Sequence, residues 1–196
     1  MTHSPLSTKL TGRLRFKAFL ADCYRKAMII RQANPSDFDS IASIQIDSWK
    51  HAYKDFFPAE FFESEIDREL RNHWREIQLQ QEDLVLVAEE DTLLGFVAVW
   101  CRPDPFIDNL HVKPSMRSQG TGSALMKAMA NALVRKGHHH AYLWVFEDNL
   151  KAVQFYERFG GIRKESLMKN LFGYDILNRK IEWNDLSTIG LLHDQT

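Results

Sequence analysis

Cysteine is scarce in this chain: only Cys23 and Cys101 occur among 196 residues. Two thiols give neither a disulfide framework nor a metal-ligand spacing, so a reducing cytoplasm and no resident metal are expected. Charge of one sign is not in excess either, since 25 Lys and Arg against 26 Asp and Glu leave a formal net charge of −1. That balance disfavours a mainly electrostatic nucleic-acid binder, which carries a basic face or tail. No apolar run approaches the ~20 residues that span a bilayer, so no membrane partner is expected. Repeats and low-complexity segments are missing, and the length suffices for one core without staples, which predicts a single α/β domain. Residues 1–27 are basic and mixed (Lys9, Arg13, Arg15, Lys17, Arg25, Lys26) and have no uninterrupted apolar segment of the kind a signal peptide needs. Three readings of this extension stay open: a translated leader, an extra helix around Phe16, Phe19 and Leu20, or a targeting segment.

Aromatic residues, by contrast, crowd one early region: Trp49, Tyr53, Phe56, Phe57, Phe61, Phe62 and Trp74. Ahead of them, 28–33 reads as a short strand. Asn34-Pro35-Ser36-Asp37 supplies helix-start chemistry, and Ile41, Ile44, Ile46 and Trp49 follow at roughly helical spacing. Pro58 opens a second helical stretch to Trp74. Strands at 84–88 and 93–100 flank the turn Asp91-Thr92 as a hairpin. Pro103 and Pro105 precede a strand at 106–112, a glycine turn, a helix at 121–136 stopped by Gly137, and a strand at 141–146. A helix at 149–159 ends at Gly160-Gly161, strands at 162–169 and 172–183 follow, and 184–196 shows no strong period and is expected to be loose. The β–turn–α–β core at 106–146 requires parallel neighbours, whereas the flanking hairpins pair antiparallel, so the sheet is mixed.

The segment Asp108 to Met126 carries the most information. A strand leads through Pro114 to Arg117-Ser118-Gln119-Gly120-Thr121-Gly122-Ser123, where backbone N–H groups at a positive helix end, with Arg117 beside them, suit a pyrophosphate. A P-loop would need Lys then Ser or Thr after its second glycine, and here Ser123 follows Gly122. A dinucleotide fingerprint would need a small residue where Leu125 stands. The plainer alternative is that Gly120 and Gly122 only permit a tight turn and close packing.

With this turn, the element order and the pattern Asn149-x-x-Ala152-x-x-x-Tyr156 in view, the chain resembles the GNAT N-acetyltransferases. The matching strings are Leu110-His111-Val112-Lys113-Pro114, Arg117 to Leu125 and Asn149 to Gly160. The resemblance runs from 28 to about 183, the expected acetyltransferase domain between the extension at 1–27 and the tail at 184–196. It includes Ser48-Trp49-Lys50-His51-Ala52-Tyr53 with Phe57-Pro58, similar to a helix pair in small bacterial members. It implies a mixed, mostly antiparallel sheet of about seven strands with a central splayed parallel pair, flanked by helices. It further implies transfer of an acetyl group from acetyl-CoA to a primary amine of a small molecule or protein. Leu110, His111 and Val112 would pair with the pantetheine arm. Amides at Gln119, Gly120, Thr121, Gly122 and Ser123, with Arg117 and Ser118, would hold the diphosphate. Asn149 would line the channel, and Tyr156 would face the thioester sulfur. A homodimer is compatible with the resemblance. A CoA-binding sensor without turnover, or use of another acyl-CoA, stays open.

Direct transfer needs a neutral amine, a polarised carbonyl and a proton for the departing thiolate. Backbone N–H groups around Val112 are expected to stabilise the developing oxyanion, at ~3 kcal/mol each. Tyr156 is the expected general acid, against the alternative of a core tyrosine sharing a face with Val153. Strand alternation puts Asp108, Leu110 and Val112 on one face and Asn109 and His111 on the other. If Leu110 and Val112 pack inward, His111 faces the cleft, and its near-neutral intrinsic pKa suits a base. Asp108 is the other candidate but would have to leave the core face. Trp49, His51 and Tyr53 lie on the early helix expected over the acceptor, where aromatic walls hold amines by cation–π contact, unless they are ordinary core residues. His138-His139-His140 reads as a solvated loop, because strand neighbours point opposite ways. Glu147 and Asp148 read as helix-start residues.

Overall fold

Among residues 27–191, which the computed structural model describes, the chain runs through β1 (Ile29–Gln32), α1 (Phe38–Ala52), α2 (Ile66–Glu76), β2 (Leu84–Glu89), β3 (Leu93–Cys101), β4 (Pro105–Val112), α3 (Thr121–Arg135), β5 (Ala141–Phe146), α4 (Leu150–Arg158), β6 (Ile162–Leu171), β7 (Tyr174–Trp183) and α5 (Ser187–Leu191). The readings offered for residues 1–26 and 192–196 lie outside the described residues. The seven strands form one sheet in the order β1-β2-β3-β4-β5-β7-β6. Every neighbouring pair is antiparallel except β4 with β5, joined by the crossover through α3. The mixed, mostly antiparallel sheet expected from the resemblance is therefore present.

Local chemistry explains the elements. Asn34 caps the turn Pro35–Asp37 by accepting from the Ser36 N–H at 3.1 Å, while the Asp37 carboxylate accepts from the Asn34 N–H at 2.8 Å. Arg31 ties this corner to β2 by pairing with Asp37 and Glu89, each at 2.7 Å. The central strands are covered on both faces, which is why 84–88 alternates only weakly in the sequence. Leu84, Leu86, Val97 and Val99 pack with Met126, Met129 and Leu133 of α3. Val85, Val87 and Phe96 pack with Ile41 and Ile44 of α1 and Trp74 of α2. A third cluster, with Phe57, Phe61 and Leu70 against Phe146 and Ile176, takes up most of the early aromatic residues.

Two expectations need correction here. The region after β7 is not loose up to its last described residue: Leu186 and Ile189 are fully buried in the core cluster that includes Met129 and Leu133 of α3. The final hairpin also turns later than read. β6 continues to Leu171, and Phe172 and Gly173 make the two-residue turn, both at positive φ (53° and 86°), as a type I′ geometry requires.

Candidate active site

β4 and β5 share a single register pair, Phe106 with Tyr142, and then part. The edge of β4 that faces away from β3 is thus left open over Leu110 to Val112. Opposite β3, the pairing jumps from Ala98–Asn109 to Val99–Ile107, so Asp108 is an extra, bulged residue. The bulge resets the alternation. Ile107, Leu110 and Val112 pack on the α3 side, whereas Asn109 and His111 turn toward α1. Asp108 belongs to neither face and opens into the cleft, so its expected place on the core face is overturned. A chain of side-chain hydrogen bonds holds it there. Trp74 Nε1 donates to Gln45 Oε1 (2.6 Å), Gln45 Nε2 to Asn109 Oδ1 (2.7 Å), and Asn109 Nδ2 to Asp108 Oδ2 (2.6 Å). Asp108 itself is exposed at the cleft, but the surrounding walls partly desolvate its carboxyl and raise it above the ordinary range, against hydrogen bonds from Trp100 and Asn109.

The glycine turn delivers the start of α3 to one end of a cleft of about 510 Å³. Gly120 is left-handed (φ 83°), with open space where a Cβ would stand. The Ala124 N–H bonds to the Gly120 carbonyl at 2.9 Å, so the N–H groups of Thr121, Gly122 and Ser123 precede the helical ladder and have no acceptor within it. This cradle fits a diphosphate. Arg117, Ser118, Gly120, Gly122 and Ser123 line the cleft. Gln119 turns its amide back to the Ser115 carbonyl (3.1 Å), and the Thr121 side chain is buried, so these two offer the ligand only backbone.

Farther in, the cleft is walled by Leu110, His111, Val112, Asn149 and Tyr156. Asn149 caps α4 by accepting from the Ala152 N–H at 3.3 Å and also hydrogen-bonds Tyr53. Burial, reinforced by Tyr53, drives the Tyr156 phenol far above its ordinary pKa, so its proton stays on. The Tyr156 ring meets Trp183 edge-on at 5.9 Å.

His111 lines the cleft as expected, but burial and then the nearby Arg117 charge push its imidazole down to about 3, below its near-neutral intrinsic value. Ser48 bridges the two groups: its oxygen accepts from Arg117 Nη2 (3.0 Å) and lies 2.9 Å from His111 Nδ1, so that ring nitrogen is engaged.

Across the splay lies a second cavity of about 400 Å³, which shares Tyr53, Asp108, His111 and Trp144 with the first. Trp49 and Tyr53 line it, whereas His51, expected beside them, sits on the glycine-turn cleft instead. Glu147 does not cap a helix: it pairs with Arg179 (2.7 Å) and accepts from Ser166 across the sheet. His140 lies 3.1 Å from Asp104 at the surface. Ser48 and Lys169 carried no signal as site residues, because each gains its place only through partners distant in the chain.

Known proteins agree with this geometry. The sequence model of the acetyltransferase (GNAT) family matches residues 46–161. An uncharacterised N-acetyltransferase of Bacillus subtilis (strain 168), YuaI, is 24% identical over 171 residues, spanning 83% of this chain and 96% of that protein. The PaiA N-acetyltransferase from Thermoplasma acidophilum, solved in complex with coenzyme A, superposes with a TM-score of 0.60 at 23% identity, over 78% of this chain and 98% of that one. The yncA protein of Salmonella typhimurium, solved with its cofactor acetyl-CoA, gives 0.58 at 19% identity, over 82% and 94%. These structures share the fold. The chain belongs to the acetyltransferase (GNAT) family.

Proposed function

We propose that this acetyltransferase moves an acetyl group from acetyl-CoA directly to a primary amine, with Tyr156 as general acid and Asp108 as general base. The observation that carries the reading is the parting of β4 from β5 after one register pair, with Asp108 on one side of the gap and both cavities opening onto it. The diphosphate rests on the first-turn N–H groups of α3, and the free edge of β4 takes the pantetheine arm. Asp108 accepts a proton from the incoming ammonium, for which a raised carboxyl pKa suits it better than His111, whose Nδ1 is already engaged by Ser48. The neutral amine forms the C–N bond at the thioester carbonyl, and the C–S bond breaks as the Tyr156 phenol donates its proton to the departing sulfur. The second proton, shed by the acylated nitrogen, restores the phenol through solvent, while Asp108 releases the first to bulk water. Asn149 holds Tyr53 against the channel, and Arg117 adds positive charge along it.

Release of free CoA with a panel of primary amines tests the activity. Turnover with at least one amine is expected, and tight acetyl-CoA binding with no turnover across the panel favours the sensor reading instead. The cofactor site is tested by Gly120→Asp, which puts a carboxylate into the open space of the cradle at a left-handed position. Calorimetry is expected to show acetyl-CoA affinity reduced about tenfold or more, equivalent to at least ~1.4 kcal/mol. Unchanged affinity in a variant with a normal circular dichroism melt overturns the assignment.

A further inference from the structure

The second cavity holds a cation that nothing in the transfer chemistry uses. Lys169, on β6, lays its Nζ 3.9 Å from the centroid of the Trp144 ring and lines the cavity together with Trp49 and Tyr53. Its environment differs from that of Lys180 on the adjoining strand. Lys180 pairs with Glu182 at 3.2 Å, whereas among the described residues no carboxylate lies within ion-pair distance of Lys169. Half-stripped of water on an indole face, the ammonium is pushed below its ordinary pKa by burial, with the Asp108 charge working the other way. An ammonium so placed is complementary to an anion.

We infer that the second cavity selects a small acceptor carrying both a primary amine and a carboxylate, the amine toward Asp108 and the carboxylate toward Lys169. This rests on the acetyl-transfer reading above. The cavity, about 400 Å³, takes a molecule of free amino-acid size. Its Trp49, Tyr53 and Phe172 walls hold the aliphatic part; of its charged lining residues Glu69 is already paired with Arg68 (3.0 Å), which leaves Asp108 and Lys169 to match the two ends of a zwitterion. A second ammonium, as a diamine would bring, meets Lys169 as a like charge and is disfavoured. Selectivity here comes from one attractive and one repulsive contact.

The test compares acceptors with and without the carboxylate, lysine against cadaverine and γ-aminobutyrate against propylamine, following CoA release from the full chain with acetyl-CoA. The carboxylated member of each pair is expected to have the higher kcat/KM by about tenfold or more. Lys169→Met is expected to lower kcat/KM for the carboxylated member at least about tenfold more than for its partner, mainly through KM. Lys169→Glu is expected to reverse the preference toward cadaverine. Equal or inverted preference in the unaltered protein, or an equal effect of Lys169→Met on both members, overturns the inference while leaving acetyl transfer standing. So does mass-spectrometric detection of an acetyl group on Lys169 itself, which would make it an acceptor. Calorimetric acetyl-CoA binding with no turnover of any member overturns both readings.

Discussion

Desolvation by the cleft walls acts on Asp108, which stays open to solvent, and on Tyr156 in the same direction, making each hold a proton more tightly, yet the consequences are opposite. A base must lose its proton before it acts, so the raised Asp108 pKa moves the acid limb of kcat/KM above the ordinary carboxylate value of about 3.9, and activity falls as pH drops through it. An acid must keep its proton, and the raised Tyr156 pKa secures this through the neutral range. Asp108→Asn is expected to remove the acid limb and cost roughly 10²–10⁴-fold in kcat, while Tyr156→Phe lowers kcat on the same scale with acetyl-CoA affinity preserved by calorimetry. An acid limb persisting in Asp108→Asn, or an unaltered rate in Tyr156→Phe, removes that residue from its role. At this scale the sequence was least legible. Strand alternation placed Asp108 on the core face because a bulge leaves no periodic trace, and only the register against β3 exposes it. The depressed His111 pKa likewise depends on burial and on Arg117, both of which only the fold brings to it.

Elements with long hydrophobic periods or strong punctuation were readable in advance, and short ones were not. The start of α3 is marked by glycines and the expected stop at Gly137 is met, with Gly137 left-handed (φ 89°) and its N–H bonding back to the Val134 carbonyl at 3.0 Å. α5 has five residues, one of them Gly190, too few to show a period, so its burial against α3 had no sequence signature. That burial gives the short helix a measurable weight. Ile189 is fully buried beside the apolar side chains of α3, so Ile189→Ala removes apolar area and leaves a cavity, with an expected loss of about 2–5 kcal/mol in urea unfolding at neutral pH. The cofactor cleft lies at the opposite end of α3, so acetyl-CoA affinity measured well below the melting temperature should change little. A loss below about 0.5 kcal/mol, the scale of ordinary surface changes, would show that α5 is a loose end after all.

For the molecule as a whole, pH sets stability through a few groups whose ionisation the fold has changed, and their signs differ. His111 has a folded pKa of about 3 against an ordinary value near 6.5, so between those limits the unfolded chain binds the extra proton and acidification favours unfolding. The stability His111 contributes is complete above about 6.5 and is lost progressively toward pH 3. Three carboxylates lose stability in the same direction but later. Asp37 is held down by Arg31 and Glu147 by Arg179, while Asp83 is held down by Arg102 and by backbone N–H groups against the opposing effect of its burial. Their contributions are intact above the ordinary carboxylate range and vanish below it. Asp108 has the opposite sign, because its raised pKa makes the folded state take up a proton first as pH falls, which favours folding. Between pH 6.5 and 4.5 the main opposing terms are therefore His111 and Asp108. Urea midpoints in an Asp108→Asn background should decline across that window with His111 present. With His111→Gln added, a neutral side chain whose amide can still hydrogen-bond Ser48, the decline should largely disappear. An identical slope in the two backgrounds would mean that the imidazole takes up its proton inside the folded molecule as freely as in the unfolded chain.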